Sequence, residues 1–194
     1  MNFLAHFHCA WPNTGLIAGG LEGDYCKGPL RGALHADIEA GVKLHRAIDA
    51  FTDTHPVVVA LRREFPDDLR RYAGILIDIS FDHFLTKHWS RYSAMSLEAF
   101  TLRVYQVLDE HMALLSVDCQ KMAARLQQYD VLNRYGDWSA VAATATRVGE
   151  RFRRGNPLLH VQQSLDPLEK TLESAFLTFY PQLLAYTGPA ASRH

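Results

Sequence analysis

At 194 residues, with 48% apolar and 21% charged residues, the chain has the size and composition of a globular domain with one sizeable core. Its 20 Lys and Arg residues balance 21 Asp and Glu residues, so the chain as a whole is not built to bind nucleic acid or an anionic membrane. Three scattered cysteines without a CxxC pair, no positively charged leader and no apolar run of about 20 residues predict a cytoplasmic protein without disulfides or a structural zinc site.

The first half of the chain contains a predicted loop between helices. Residues 2–11 are expected to form a short helix or an extended lead-in. Residues 15–32 hold six of the 12 glycines and are expected to form an active-site loop, with a plain flexible connection as the alternative. A helix is predicted from near Asp37 to the residue before Pro56. A brief helix over 57–65 and a long helix from Pro66 to about Trp89 follow.

The second half is predicted to be helical throughout. Helices are expected over roughly 97–114, from Ser116, and from Asp137 to about residue 155. Asp166 is expected to cap a final helix that Pro181 kinks or ends. Because no stretch alternates apolar and polar residues as a strand does, we predict an all-α, single-domain helical bundle.

Two of these helices carry acidic and histidine side chains four residues apart. His45 and Asp49 have this spacing in the first helix, and Asp78 and Asp82, followed directly by His83, have it in the second. Residues four apart share a helix face, and buried carboxylates must be paired, protonated or bound to a metal. The pattern therefore indicates a shared site for Mn²⁺, Mg²⁺, Fe²⁺ or Zn²⁺, with a buried polar network as the alternative.

Four segments of the chain carry a family resemblance. They are MNFLAH at the start, GDYCKG at 23–28, LHRAIDAFTDTHP at 44–56 and DISFDHFLTKHW at 78–89. Together they resemble the acyl carrier protein phosphodiesterases, most strongly over residues 1–90. The resemblance implies a helical fold related to the HD-domain phosphohydrolases and a divalent metal, typically Mn²⁺, with Mg²⁺ or another divalent ion as alternatives. It also implies hydrolysis of the phosphodiester that joins phosphopantetheine to a serine of the carrier protein.

The resemblance transfers roles to particular residues of this chain. The positions that match the family are His6, Asp24, His45, Asp49, Asp53, Asp78, Asp82 and His83. Of these we predict as metal ligands Asp24, His45, Asp49, Asp78 and Asp82, and as catalytic residues His6, Asp24 and His83, together with Arg46. The sequence departs from the family in having Gly19-Gly20 where Gly-Asn is usual, and in having Asp82-His83 in place of a His-Asp doublet.

The expected mechanism is attack on phosphorus by a metal-activated water. His6 or His83 is expected to protonate the departing serine oxygen, and Arg46 or Lys27 to bind the phosphate. Replacing Asp24, Asp49 or Asp82 by Ala is expected to abolish turnover without unfolding the protein.

Acyl carrier proteins are small, acidic and helical, so a basic docking surface is expected. Two clusters are candidates. One comprises Arg147, Arg151 and Arg154, which have helical spacing, and the other is Arg62 and Arg63, near Arg70 and Arg71. Either cluster also fits an ordinary solvated face, and no oligomeric state is predicted.

Two other functions fit the same residues. An HD-like phosphohydrolase acting on a nucleotide or another small phosphoester would keep the metal site and change only the substrate. A non-catalytic helical binding module would use the Asp and His residues as a buried polar network and would bind no metal.

Overall fold

The structure is a computed structural model that describes residues 2–152 and 155–191, with side chains up to residue 188. Its helices are α1 (Phe3–Ala10), α2 (Thr14–Glu22), α3 (Ala36–Thr54), α4 (Pro56–Leu61), α5 (Ala73–Lys87), α6 (Leu97–Glu110), α7 (Val117–Gln128), α8 (Trp138–Gly149), α9 (Gln162–Leu165) and α10 (Glu169–Ala191). Short 3-10 turns lie at 62–64, 70–72, 89–91, 112–114, 131–136, 157–160 and 166–168. No strand occurs in the described residues, so the all-α prediction is confirmed.

Helices α5 and α10 form the centre of the core. Four of their phenylalanines, Phe81, Phe84, Phe176 and Phe179, are at most 1% exposed, with ring centroids 5.5 to 6.1 Å apart in the contacting pairs. Such offset and edge-to-face pairs stabilise beyond the area they bury. Helices α1, α3 and α4 pack against α10, while α8 and the 131–136 turn pack against α5. This arrangement brings α1, α3 and α5 together at one end of the core.

The prediction of a glycine-rich loop over 15–32 is wrong for the first part of that range, because residues 14–22 form helix α2. The Asn13 side chain accepts a hydrogen bond from the Leu16 amide at 2.9 Å and caps this helix. Its glycines serve helix packing, since a Cβ on Gly41 of α3 would lie 2.6 Å from the Gly19 Cα of α2. The true loop covers 23–35, with positive φ at Gly28 and Gly32.

Two predicted helix boundaries are also corrected. Helix α5 begins at Ala73 and not at Pro66, because the chain turns over 66–72 so that Phe65 and Leu69 both enter the core. Helix α8 ends at Gly149, where the Asn156 side chain donates a hydrogen bond of 2.9 Å to the Gly149 carbonyl.

The last helix differs from its prediction at the start and at Pro181. Asp166 lies in a 3-10 turn, and its carboxylate accepts from Trp138 Nε1 at 3.1 Å without capping α10, which begins at Glu169. Helix α10 continues through Pro181 to Ala191. Pro181 is exposed, and its missing N–H removes one hydrogen bond from the helix without ending it. Among the described residues, no helix combines the length and apolar character needed to cross a membrane.

Candidate metal centre and adjoining cavity

Two histidines and one aspartate from α1 and α3 converge at the end of the core. His6 Nε2 lies 3.3 Å from Asp49 Oδ1, and His45 Nε2 lies 3.1 Å from Asp49 Oδ2. The two imidazole rings stack with centroids 4.1 Å apart and an interplanar angle of 13°. One potential ligand atom from each residue lies within 4.8 Å of the other two. This spacing is compatible with three ligands around one ion.

The protonation states of this cluster suit metal binding. Burial lowers the pKa of His6 to about 4, so the ring is neutral near pH 7, as a ligating imidazole must be. Partial burial pushes the pKa of Asp49 upward, but the hydrogen bonds with His45 and His6 outweigh it and hold the pKa well below its usual range. The cluster therefore offers one carboxylate and a neutral imidazole at neutral pH.

Asp24 adds a second carboxylate from the loop that follows α2. Its Oδ1 lies 3.8 Å from His45 Nε2, and its side chain is 47% exposed. Burial raises the pKa of Asp24, while His45 partly offsets that effect. The neighbouring Gly23 packs directly on the His45 ring and brings the loop to the cluster.

This contact makes Gly23 a sensitive position. A Cβ at Gly23 would lie 2.7 Å from His45 Cδ2 and 2.8 Å from His45 Cβ, closer than such atoms approach. We expect Gly23→Ala to displace the His45 ring and lower turnover by more than about tenfold, since small misplacements of catalytic groups are costly. The measurement is steady-state turnover together with bound metal per protein.

Gly20 supplies the matched control, because a Cβ there would meet no atom within 4 Å. Gly20→Ala should keep wild-type turnover. Equal turnover for Gly23→Ala and Gly20→Ala would contradict the role assigned to the Gly23–His45 contact.

Asp82 and His83 face other parts of the molecule. Asp82 is 0% exposed and accepts hydrogen bonds from the backbone amides of Leu4 at 2.8 Å and Ala5 at 3.1 Å. It thus caps the N-terminus of α1, and burial raises its pKa to about 7. His83 Nδ1 lies 2.7 Å from the Tyr135 carbonyl oxygen. Asp82 therefore supports the helix that carries His6, a role that its prediction as a metal ligand did not include.

Other predicted site residues are distributed around the cluster. Asp78 lines the adjoining cavity, and burial raises its pKa. The Arg46 guanidinium donates a hydrogen bond of 2.8 Å to the Cys26 carbonyl, which ties the loop to α3. Lys27 is exposed on that loop. Asp53, one turn beyond Asp49, forms a salt bridge with Arg62.

A cavity of about 1090 Å³ adjoins the cluster. His6, Asp24 and Asp78 lie on its lining. Its apolar wall consists mainly of Ile75, Ile79, Met122, Leu126, Val131 and Val148. The volume is at the upper end of the range for small-molecule sites, about 300 to 1,000 Å³. A flexible, mostly neutral ligand of that size would fit with its reacting end near His6.

Four arginines also line this cavity. Arg147, in the last turn of α8, and Arg151, just beyond that helix, were predicted as docking residues from their spacing. Arg125 of α7 and Arg134 of the 131–136 turn were missed, because no spacing rule connects residues on separate elements. Arg154 lies outside the described residues. Arg62 and Arg63 are not among the lining residues.

Comparisons with known proteins agree across nearly the whole chain. The family model described as "Acyl carrier protein phosphodiesterase" matches residues 1–183. Curated proteins of that name are 32% identical in Photorhabdus laumondii, over 95% of this chain and 93% of the relative, and 31% identical in Yersinia pestis, over 95% and 96%. A protein of that name from Escherichia coli O139:H28 is 33% identical over 98% of this chain and 100% of its own. No solved structure matches the chain, so the relationship to HD-domain phosphohydrolases stays a prediction.

Proposed function

The chain belongs to the acyl carrier protein phosphodiesterase family, and from this premise we propose that it hydrolyses holo-acyl carrier protein. The bond broken joins phosphorus to the oxygen of the carrier serine, and the bond formed joins phosphorus to a water oxygen. The products are apo-acyl carrier protein, with its serine hydroxyl restored, and 4'-phosphopantetheine. The observation that carries this proposal is the polar cluster of His6, His45 and Asp49 beside a large cavity.

We further propose that this cluster binds a divalent metal, with His6, His45, Asp49 and the nearby Asp24 as its ligands. The residues pass a simple test of fit. Imidazole and carboxylate groups are suitable ligands for Mn²⁺, Mg²⁺, Fe²⁺ and Zn²⁺, and no thiolate lies in the cluster to favour a softer ion. His45 Nδ1 is buried without a hydrogen-bond partner among the described residues, and Asp49 lies by its Nε2. Mn²⁺ is the ion predicted from the family resemblance.

A bound divalent ion would supply an acidified water and positive charge beside the phosphate oxygens. The chain's own residues orient the ligand side chains. Asp49 fixes the two imidazole rings by contacting both Nε2 atoms, and ring stacking holds the rings parallel.

The departing serine oxygen needs a proton, and two histidines were predicted as its donor. His6 lines the cavity that would admit the substrate, but it is a proposed metal ligand and burial keeps its ring neutral near pH 7. His83 is directed to the Tyr135 carbonyl and does not line the cavity. We therefore propose that His6 acts as a ligand, and we assign proton donation to neither histidine. Arg46, held by the Cys26 carbonyl, is proposed to order the loop that carries Asp24.

The experiment compares two substrates in parallel. Purified protein is incubated with holo-acyl carrier protein and, separately, with free nucleotides, each with Mn²⁺. We expect release of 4'-phosphopantetheine from the carrier protein and no phosphate or nucleoside from the nucleotides. Hydrolysis of nucleotides with an unchanged carrier protein would contradict the proposal. The cytoplasmic location predicted from the sequence stays a prediction.

A further inference from the structure

Four exposed arginines surround the cavity that adjoins the metal centre. They are Arg125 from α7, Arg134 from the 131–136 turn, and Arg147 and Arg151 from the end of α8 and just beyond it. We refer to them as the arginine rim. They come from three elements that meet only in the folded protein, so their convergence is a property of the tertiary structure.

The positive charge of the arginine rim is not neutralised by acidic partners in the described residues, a property that it shares with the exposed Arg63, Arg71 and Arg91. Within the described ranges 2–152 and 155–188, none of its four guanidinium groups forms a salt bridge. Elsewhere on the surface Arg62 pairs with Asp53 and Arg70 pairs with Asp67.

The acidic residues of the cavity lining are few and unevenly placed. Asp24 lies next to His45, and Asp78 interacts electrostatically with Asp49, so both belong to the metal-centre side. Asp137 is the third acidic residue of the lining. The whole chain has a formal net charge of −1, so the arginine rim is a local concentration of positive charge. Such a concentration attracts an acidic partner.

The position of the scissile bond decides where a carrier protein must sit. The phosphate is the root of the phosphopantetheine arm and is attached directly to the serine. For that bond to reach His6 and Asp49, the carrier-protein surface around the serine must lie against the enzyme beside the metal centre. The arginine rim is the cationic surface that shares a cavity with His6.

We propose that the arginine rim docks an acidic helical surface of the carrier protein, with the arm lying along the apolar wall of the cavity. This inference rests on the proposed function and deepens it by assigning the docking surface. Of the two arginine clusters suggested by the sequence, the one that contains Arg147 and Arg151 is therefore favoured. Arg62 forms a salt bridge with Asp53, and neither Arg62 nor Arg63 lines the cavity.

The test is charge reversal in the double variant Arg125→Glu/Arg147→Glu. Two quantities are measured: the dissociation constant for apo-acyl carrier protein, which has no bond to cleave, and the steady-state constants for holo-acyl carrier protein. We expect both the dissociation constant and KM to rise at least about tenfold, with a smaller change in kcat. The wild-type rate at low substrate should fall with added salt, and the variant should lose most of that dependence.

The matched control is Arg91→Glu/Lys170→Glu, which makes the same change in net charge at exposed positions away from the cavity. If the first variant fails to fold, Arg134→Gln/Arg151→Gln tests the same rim more gently. Rim variants that bind like the control, or a larger loss in Arg63→Glu than in the rim variants, would overturn the docking assignment. In that case a wild-type protein that cleaves holo-acyl carrier protein would leave the proposed function standing. A wild-type protein that binds apo-acyl carrier protein through the rim and cleaves nothing would contradict the reaction alone.

Discussion

Replacing Asp49 by Ala is expected to lower turnover of holo-acyl carrier protein by more than about 100-fold, because even indirect supports of a metal site are worth 10- to 100-fold. Among the described residues, Asp49 is the one carboxylate that contacts both His6 and His45, so its loss removes a proposed ligand and the group that orients two others. Its side chain is 44% exposed on a helix, and Ala favours helix, so the protein should stay folded. Turnover, metal content by mass spectrometry and the circular dichroism melt are measured together.

Asp53→Ala is the matched control for that variant. Asp53 lies one helical turn beyond Asp49 on α3, is 65% exposed and pairs with Arg62. Exposed salt bridges contribute at most about 1 kcal/mol, so this change should leave stability and turnover near the wild-type values. An active, metal-replete Asp49→Ala protein would remove the cluster from consideration as the metal centre.

Replacing Asp82 by Ala is expected to destabilise the protein by about 2 to 6 kcal/mol, because two buried backbone donors lose their acceptor at about 1 to 3 kcal/mol each. The donors are the Leu4 and Ala5 amides at the start of α1, and the side chain of Asn2, the residue that precedes the helix, makes no capping hydrogen bond to them. The change should appear as a lower unfolding midpoint in urea. Turnover should fall with it, since α1 carries His6.

Ser80→Ala is the control for Asp82→Ala, because Ser80 lies two residues earlier on α5 and is 0% exposed. Its hydroxyl has no hydrogen-bond partner among the described residues, so removing it should be neutral or slightly stabilising. An Asp82→Ala protein with wild-type stability and no bound metal would instead favour the ligand role predicted from the sequence.

The sequence predicted the proximity of His45 and Asp49 correctly, because one helix carries both residues. His45 and Asp49 are four residues apart, and residues four apart share a face. The same rule would also place Asp53 on this face, but each four-residue step rotates the position by about 40° around the helix axis. After two steps the side chain has left the cluster and pairs with Arg62.

The sequence also predicted correctly that only one histidine of α1 faces the cluster, because His6 and His8 are two residues apart and point in different directions. His6 joins the cluster, and His8 Nδ1 lies 2.8 Å from the Tyr180 hydroxyl in the core. The choice of His6 over His8 rested on the family resemblance and not on the spacing.

The α5 half was harder to predict because that helix is covered on most of its circumference. Asp78 and Asp82 share a face, yet Asp78 reaches the cavity and Asp82 reaches the start of α1. A step of four residues moves about 6 Å along a helix, which is far enough to change the neighbouring element. The arginine rim was harder still to predict, because its members lie on three elements that come together only through the packing of α7 and α8.

The most direct test of the proposed reaction and metal centre is the intact mass of holo-acyl carrier protein after incubation with the enzyme, with Mn²⁺, without added metal and with a chelator. We expect loss of the phosphopantetheine mass with Mn²⁺, no loss with the chelator, and a loss more than about 100-fold slower with the Asp49→Ala variant. Release of phosphopantetheine at the same rate in the presence of the chelator, or by the Asp49→Ala variant, would contradict the metal centre proposed at His6, His45 and Asp49.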